Sequence, residues 1–456
     1  MRREHKIRTL CGTILVAGVA IAAAAFGDSL GKIDASCSPF ADGERVTFLG
    51  DSITHGGAYH AYLQLYWDLR HPGSGTRLMN CGVGGDTAEG GVKRWAWDAA
   101  PQRADRTFVM FGMNDVKLGL YGKGDADAST LALRKNRIDE YAANMAEIAA
   151  LVRSAGQKLV VMTPTPYDEY GPNYKVPAAK GGNDIGLAAC AAIVRRLARR
   201  EGATVIELHR PLTEFVRRQG EYCLCYETDR VHPRDDGHLI IMAEMLKAMG
   251  ESPDFAGADV DAAGREELAL DYKPSGIPFP VSEAYRKAEA VYPLTDTINR
   301  EMLTVRNLPS GRYRLVADGE ELGVFDAVEL LRGVNLAMLP TPCAKQALEA
   351  WDVACALREA QYKLRDFAQI EFRAESEGAK RDDFDGVCAA MEAKIARMRT
   401  ENSQWTSAYE KMLAGYRANK PQEAKFREEE ERCRNRLREI AASPASYTLT
   451  LVRAKQ

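Results

Sequence analysis

The chain has 456 residues, 46% of them apolar and 27% charged, a composition that excludes wholesale disorder and allows two or three domains with sizeable cores. Lys plus Arg total 61 against 64 for Asp plus Glu, so there is no global electrostatic case for nucleic acid or an anionic membrane as partner. Small neutral molecules and other proteins remain open.

The first eight residues, MRREHKIR, are basic; TLCGTILVAGVAIAAAAF is apolar and rich in small residues; polar sequence follows from Gly27. This layout predicts a secretory signal peptide over residues 1–27, cleaved near Ala23 to Ala25, and a secreted or periplasmic mature chain. The alternative is an uncleaved membrane anchor, since the run approaches the roughly 20 residues that span a bilayer. No later stretch is long and apolar enough to span, so no stable membrane insertion is expected after cleavage. Of ten cysteines, Cys11 lies in the leader and nine remain. An odd number leaves at least one thiol free or paired between chains, and export allows bridges among the others.

From Arg45 to Gly250, short β-rich runs alternate with helical patterns. Residues 46–49 (VTFL), 77–80 (RLMN), 107–112 (TFVMFG), 158–166 (KLVVMTPTP) and 204–208 (TVIEL) read as strands. Within 133–156, Ile138, Tyr141, Met145, Ile148 and Val152 recur at steps of three and four, and Gly156 supplies a stop. Such alternation predicts a parallel sheet covered on both faces over residues 40–255, with ligands at the C-terminal ends of its strands.

Residues 256–300 read as a linker by composition. Residues 301–342 alternate as a small β unit with turns at Pro309-Ser310-Gly311 and Asp318-Gly319. Residues 343–443 read as helical, with a near-heptad stripe from Met391 through Ile395, Met398, Trp405, Tyr409 and Met412 to Tyr416 that suits a helix-hairpin seam. The alternating segment 446–452 is expected to return to the β unit, extending it to 301–342 plus 445–453, because a lone strand is marginal.

Ser52, in the stretch VTFLGDSITHGG (46–57), follows the first strand and precedes the helical pattern 58–70. By itself it reads as a helix cap. The third predicted strand ends in FGMND (111–115), and the last is followed by TDRVHPRDDGH (228–238), with Asp229 and His232 three residues apart. A serine nucleophile needs a base, and an imidazole base needs a carboxylate to hold its tautomer and stabilise its cation. His55 and His60 are candidates to line a pocket beside Ser52. His238 reads as structural. His209 has no carboxylate at metal-ligand spacing, and no metal is expected.

Together GDS, GVGGDT (82–87), GMND and DRVH, in that order over residues 45–250, resemble the SGNH hydrolases, also called GDSL esterases and lipases. The resemblance implies a three-layer, flavodoxin-like α/β fold and no cofactor. It also implies a Ser52, Asp229 and His232 triad, with an oxyanion hole formed by the Ser52 and Gly85 N–H groups and the Asn114 amide. Gly82 and Gly84 leave the register of Gly85 open. Export, the lack of a long apolar lid and an appended β-plus-helix module resemble members that act on acylated carbohydrate, so a small-molecule or glycan ester, an acetyl ester above all, is the expected substrate. Lysophospholipid or thioester hydrolysis is the alternative within the family. A catalytically inactive binding or scaffold protein is the alternative of a different class.

Overall fold

The computed structural model describes residues 37–454 apart from Lys123 and Asp125, so the leader expected over 1–27 lies outside the described residues. Five parallel strands form the first sheet: β1 (Arg45–Gly50), β2 (Arg77–Gly82), β3 (Arg106–Met110), β4 (Lys158–Met162) and β5 (Thr204–Ile206), in the order β2-β1-β3-β4-β5. β1 is buried at every position after Arg45, and β3 along its whole length. That burial on both faces explains why they read as continuous apolar runs rather than alternating ones.

The helices of this part are α1 (Ser52–Gly56), α2 (Ala58–Arg70), α3 (Ala88–Arg94), α4 (Ala128–Ser154), α5 (Ala188–Glu201), α6 (His209–Arg218) and α7 (Asp235–Met249). α2 packs with α7 on one face, while α3, α4 and α5 pack in series on the other. The result is a three-layer α/β fold. Tyr141, Met145, Ile148 and Val152 of α4 are buried, as their spacing predicts.

Residues 256–300 are not a linker. β6 (Asp254–Asp261) and β7 (Glu267–Tyr272) lie there, followed by α8 (Glu283–Glu289) and α9 (Leu294–Ile298). Next come β8 (Arg300–Arg306), β9 (Arg312–Ala317), β10 (Glu320–Asp326), α10 (Ala327–Arg332) and β11 (Val334–Asn335). Four helices follow, α11 (Pro342–Glu375), α12 (Phe384–Thr400), α13 (Thr406–Asn419) and α14 (Glu423–Ala441), before β12 (Tyr447–Arg453).

β12 pairs antiparallel with β9 and β7 in a sheet ordered β10-β9-β12-β7, and β6 joins β8 and β11 in a second sheet. Both sheets share one core that includes Leu303, Val305, Tyr313, Leu315, Leu449 and Leu451. β6 and β7 are edge strands whose inward residues, such as Val260 and Leu270, are only half-buried, while Asp and Glu face out. Edge strands of that kind carry little apolar signal, which is why composition mimicked a linker.

The helical stripe is also divided. Met391 and Ile395 of α12 and Tyr416 of α13 share a core with Phe367 and Ile370 of α11, but Trp405 sits in the turn between α12 and α13 and is 61% exposed. Among the described residues, no helix is long and apolar enough to cross a membrane. All nine cysteines there are unbridged, and eight are buried as small apolar side chains, so the bridges that export allows are not formed.

The 34-residue helix α11 docks on the first sheet through a buried ion network. Arg365 donates from Nη1 and Nη2 to the two Asp98 oxygens at 2.6 and 2.8 Å, and from Nε to the Gly82 carbonyl at 3.0 Å. Removing one partner of a buried pair typically costs about 3–5 kcal/mol. Arg365→Met is expected at the lower end of that range, because Arg94 still pairs with Asp98. The urea midpoint of unfolding measures this, and an unchanged midpoint refutes the clamp.

Candidate active site

The strand order reverses between β1 and β3, so a crevice opens at their C-terminal ends, where ligands bind in open α/β sheets. β1 ends at Gly50, where a Cβ would lie 2.3 Å from Thr54 Oγ1 and 2.7 Å from the Met110 carbonyl, so only glycine fits this sharp exit. Asp51, not Ser52, is the cap of α1: its Oδ1 accepts from the Ile53 N–H at 3.0 Å. Ser52 is thereby the first helical residue, half-buried, and its hydroxyl is released from capping.

That hydroxyl lies 2.8 Å from His232 Nε2, and His232 Nδ1 lies 2.7 Å from Asp229 Oδ2. With the proton on Nδ1, the imidazole donates to Asp229 and accepts from Ser52. The loop before α7 fixes this arrangement locally. Asp229 Oδ1 accepts the N–H groups of Val231 and His232 at 2.9 and 3.0 Å, which turns its second oxygen toward the ring. Arg230, in the left-handed region at φ 60°, donates to the carbonyls of Val176, Asp168 and Gly171 and anchors the turn.

Charge follows geometry. Burial works against the imidazolium of His232, but the hydrogen bond and charge of Asp229, with a smaller contribution from Asp51, raise its pKa above the usual histidine value. Burial likewise opposes the Asp229 carboxylate, yet its bonds to His232 and Val231 hold it below its usual value. Asp51 and Asp115 lack such a partner and are pushed up by burial to about 6 and about 7.

Gly85 and Asn114 sit on the loops after β2 and β3, flanking the β1 exit. Gly85 has φ 72° in the turn Val83–Asp86, which is closed by the Asp86 N–H donating to the Val83 carbonyl at 3.2 Å. Among the described residues, the Gly85 N–H donates to no backbone or side-chain acceptor. Asn114 Nδ2 donates one hydrogen to the Asp86 carbonyl at 2.8 Å, which ties the two loops together and leaves its second amide hydrogen. Asp115 accepts from the Gly112 and Ala88 N–H groups, pinning the loop after β3 to the start of α3.

His55 and His60 do not line an open pocket. His55 is 4% exposed and accepts the Gly84 N–H at Nδ1; His60 is buried and its Nε2 lies 3.1 Å from the Thr54 carbonyl. Sequence reasoning missed the arginines below the crevice. Arg94, fully buried, donates to Asp86 Oδ2, to Asp98 and to the carbonyls of Gly50 and Cys81. A signal for part of this exists, since Arg94 and Asp98 are four apart, but the second arginine on Asp98 is 267 residues away.

The sheet order is that of a flavodoxin-like three-layer α/β fold, and Ser52, His232 and Asp229 come together beside the C-terminal end of β1. Residues 48–240 match the GDSL-like Lipase/Acylhydrolase family. An acetylxylan esterase of Geobacillus stearothermophilus is 25% identical over 223 residues, which span 46% of this chain and 94% of that one. A crystal structure of that esterase, 24% identical, overlaps 46% of this chain and 95% of its own with a TM-score of 0.37. The structure of a gut microbial diltiazem-metabolizing enzyme, 24% identical, matches 92% of this chain and 99% of its own with a TM-score of 0.79, a likeness of fold that takes in the C-terminal sheets and helices. Residues 48–240 thus resemble the GDSL-like lipases and acylhydrolases, and the chain is a carboxylic ester hydrolase.

The His232 ring, followed by its NMR signals, is expected to titrate above the roughly 6.5 of an unperturbed histidine. Asp229→Asn leaves the burial penalty without its counter-charge, so the midpoint should move down. A midpoint that stays in place in the variant refutes the coupling.

Proposed function

We propose that this hydrolase removes small acyl groups, acetyl above all, from carbohydrate, with Ser52 as nucleophile, His232 as base and then acid, and Asp229 as the carboxylate behind it. The observation that carries the reading is the unbroken chain from Ser52 Oγ to His232 to Asp229 at 2.8 and 2.7 Å. Neutral His232 accepts the hydroxyl proton at Nε2 as Oγ bonds to the ester carbon. The carbonyl electron pair moves onto oxygen and is met by the N–H groups of Ser52 and Gly85 and the second amide hydrogen of Asn114. Collapse expels the alcohol, which takes the proton from His232, and water activated by the same ring hydrolyses the acyl-enzyme.

The carbohydrate side rests on the acetylxylan esterase named among the relatives. The basic, apolar and polar order of residues 1–27 supports export to a secreted or periplasmic site.

Ser52→Ala is expected to abolish hydrolysis of p-nitrophenyl acetate, and wild-type turnover in that variant sinks the proposal. Asn114→Ala should lower kcat by about 10²–10³ with KM little changed; a KM effect alone removes Asn114 from the hole. Because the base must be neutral, kcat/KM should rise with pH through the raised His232 pKa and level off above it. Across acetyl, butyryl and octanoyl esters kcat/KM should fall with length, and an octanoyl preference favours the lysophospholipid reading instead.

A further inference from the structure

We propose that α11, from the C-terminal region, locks the oxyanion-hole peptide of the first domain, with Arg373 and Gln369 as its positioning residues. The inference rests on the esterase reading above and adds to it a residue set that lies outside the hydrolase domain.

The peptide in question joins Gly84 to Gly85. It is the central unit of the turn Val83–Asp86, and Gly85 at φ 72° in its third position makes the turn type II. Type I and type II turns differ by a flip of this one unit, which reverses the directions of its C=O and N–H. Two glycines leave the flip without a Cβ to oppose it. A trans peptide is planar, with its C=O and N–H pointing to opposite sides. Whatever holds the Gly84 oxygen therefore aims the Gly85 N–H.

Two side chains of α11 hold that oxygen. Arg373 Nη2 donates to the Gly84 carbonyl at 2.6 Å, and Gln369 Nε2 donates to it at 3.2 Å. The Gly84 N–H is held as well, by His55 Nδ1 at 3.0 Å, and His55 Nε2 lies 3.2 Å from Asp366. Asp366, Gln369 and Arg373 follow at steps of three and four, so one face of α11 serves the whole turn. Arg373 is braced in turn by the Tyr409 hydroxyl of α13 and stacks over its ring at 4.9 Å.

The glycines are matched to this contact. A Cβ at Gly84 would lie 2.7 Å from Gln369 Nε2, and one at Gly85 would lie 3.2 Å from Arg373 Nη2. A guanidinium on the carbonyl also polarises the peptide, which makes the N–H at its other end a stronger donor. The geometry thus supplies direction and strength to the Gly85 N–H through the carbonyl at the other end of its peptide.

The test compares Arg373→Met and Gln369→Met with wild type and Ser52→Ala on p-nitrophenyl acetate. Losing a hole donor typically costs about 10²–10³ in rate, so Arg373→Met, which loosens one, should lower kcat by about 10-fold to 10²-fold with KM within about threefold. Arg373→Lys should restore part of kcat. The pH midpoint of kcat/KM should stay in place, because His232 and Asp229 are untouched. If Arg373→Met does not fold, Gln369→Met carries the test, with an expected fall in kcat of roughly 3-fold to 10-fold for one neutral hydrogen bond. Wild-type kcat in the folded variants, or a shifted pH midpoint, overturns the lock. Full turnover in Ser52→Ala overturns the esterase site itself; a dead Ser52→Ala beside an unaffected Arg373→Met overturns only the lock.

Discussion

Two buried guanidiniums hold the ends of β1 and β2. Arg94 donates to the carbonyls of Gly50 and Cys81, and Arg365 donates to that of Gly82, so the chain's exits toward Ser52 and toward Gly85 are tied to the same pair of cations. Taking two cations out of water is costly, and the cost is offset only where counter-charges and hydrogen bonds are complete. Asp86 and Asp98 supply them. Burial raises the Asp98 pKa, but Arg365 and Arg94 outweigh it and hold the carboxyl at about 2. The crevice inherits its shape from that balance, and one of the two cations arrives from α11.

Around this foundation, carboxylates of one residue type divide into different states. Asp229 faces an imidazole and stays ionised; Asp51 and Asp115, under the strand ends, are pushed toward neutrality by burial and are steadied by backbone N–H groups. Asp51 frees Ser52 by taking the capping role, and Asp115 ties the loop after β3 to α3. Asp51, which shapes the exit of β1, therefore also adds to the field in which His232 titrates. Structure and electrostatics are a single arrangement here.

The first sheet was legible because parallel strands buried on both faces leave unbroken apolar runs, and α4 because its stripe recurs at helical spacing. Ser52 and Asn114 were legible as short blocks just past β1 and β3, and Asp229 and His232 as a pair three residues apart in the loop before α7. β6 and β7 were not, because edge strands with Asp and Glu outward and half-buried residues inward resemble a polar linker. Trp405 misled for the opposite reason: its spacing suits the stripe, but the chain leaves the helix at Thr400 before reaching it.

By itself the sequence determined the strand-helix alternation, the chemical types at the strand ends and the three-residue link between Asp229 and His232, all of which depend on neighbours near in the chain. Only the tertiary structure decided that Asp51 caps α1, that His55 turns inward to Gly84, and that Arg365, Gln369 and Arg373 reach loops nearly three hundred residues earlier. The reason is physical. A hydrogen bond to a backbone carbonyl needs no particular residue at the acceptor, so its long-range partner leaves no pattern in the sequence it holds.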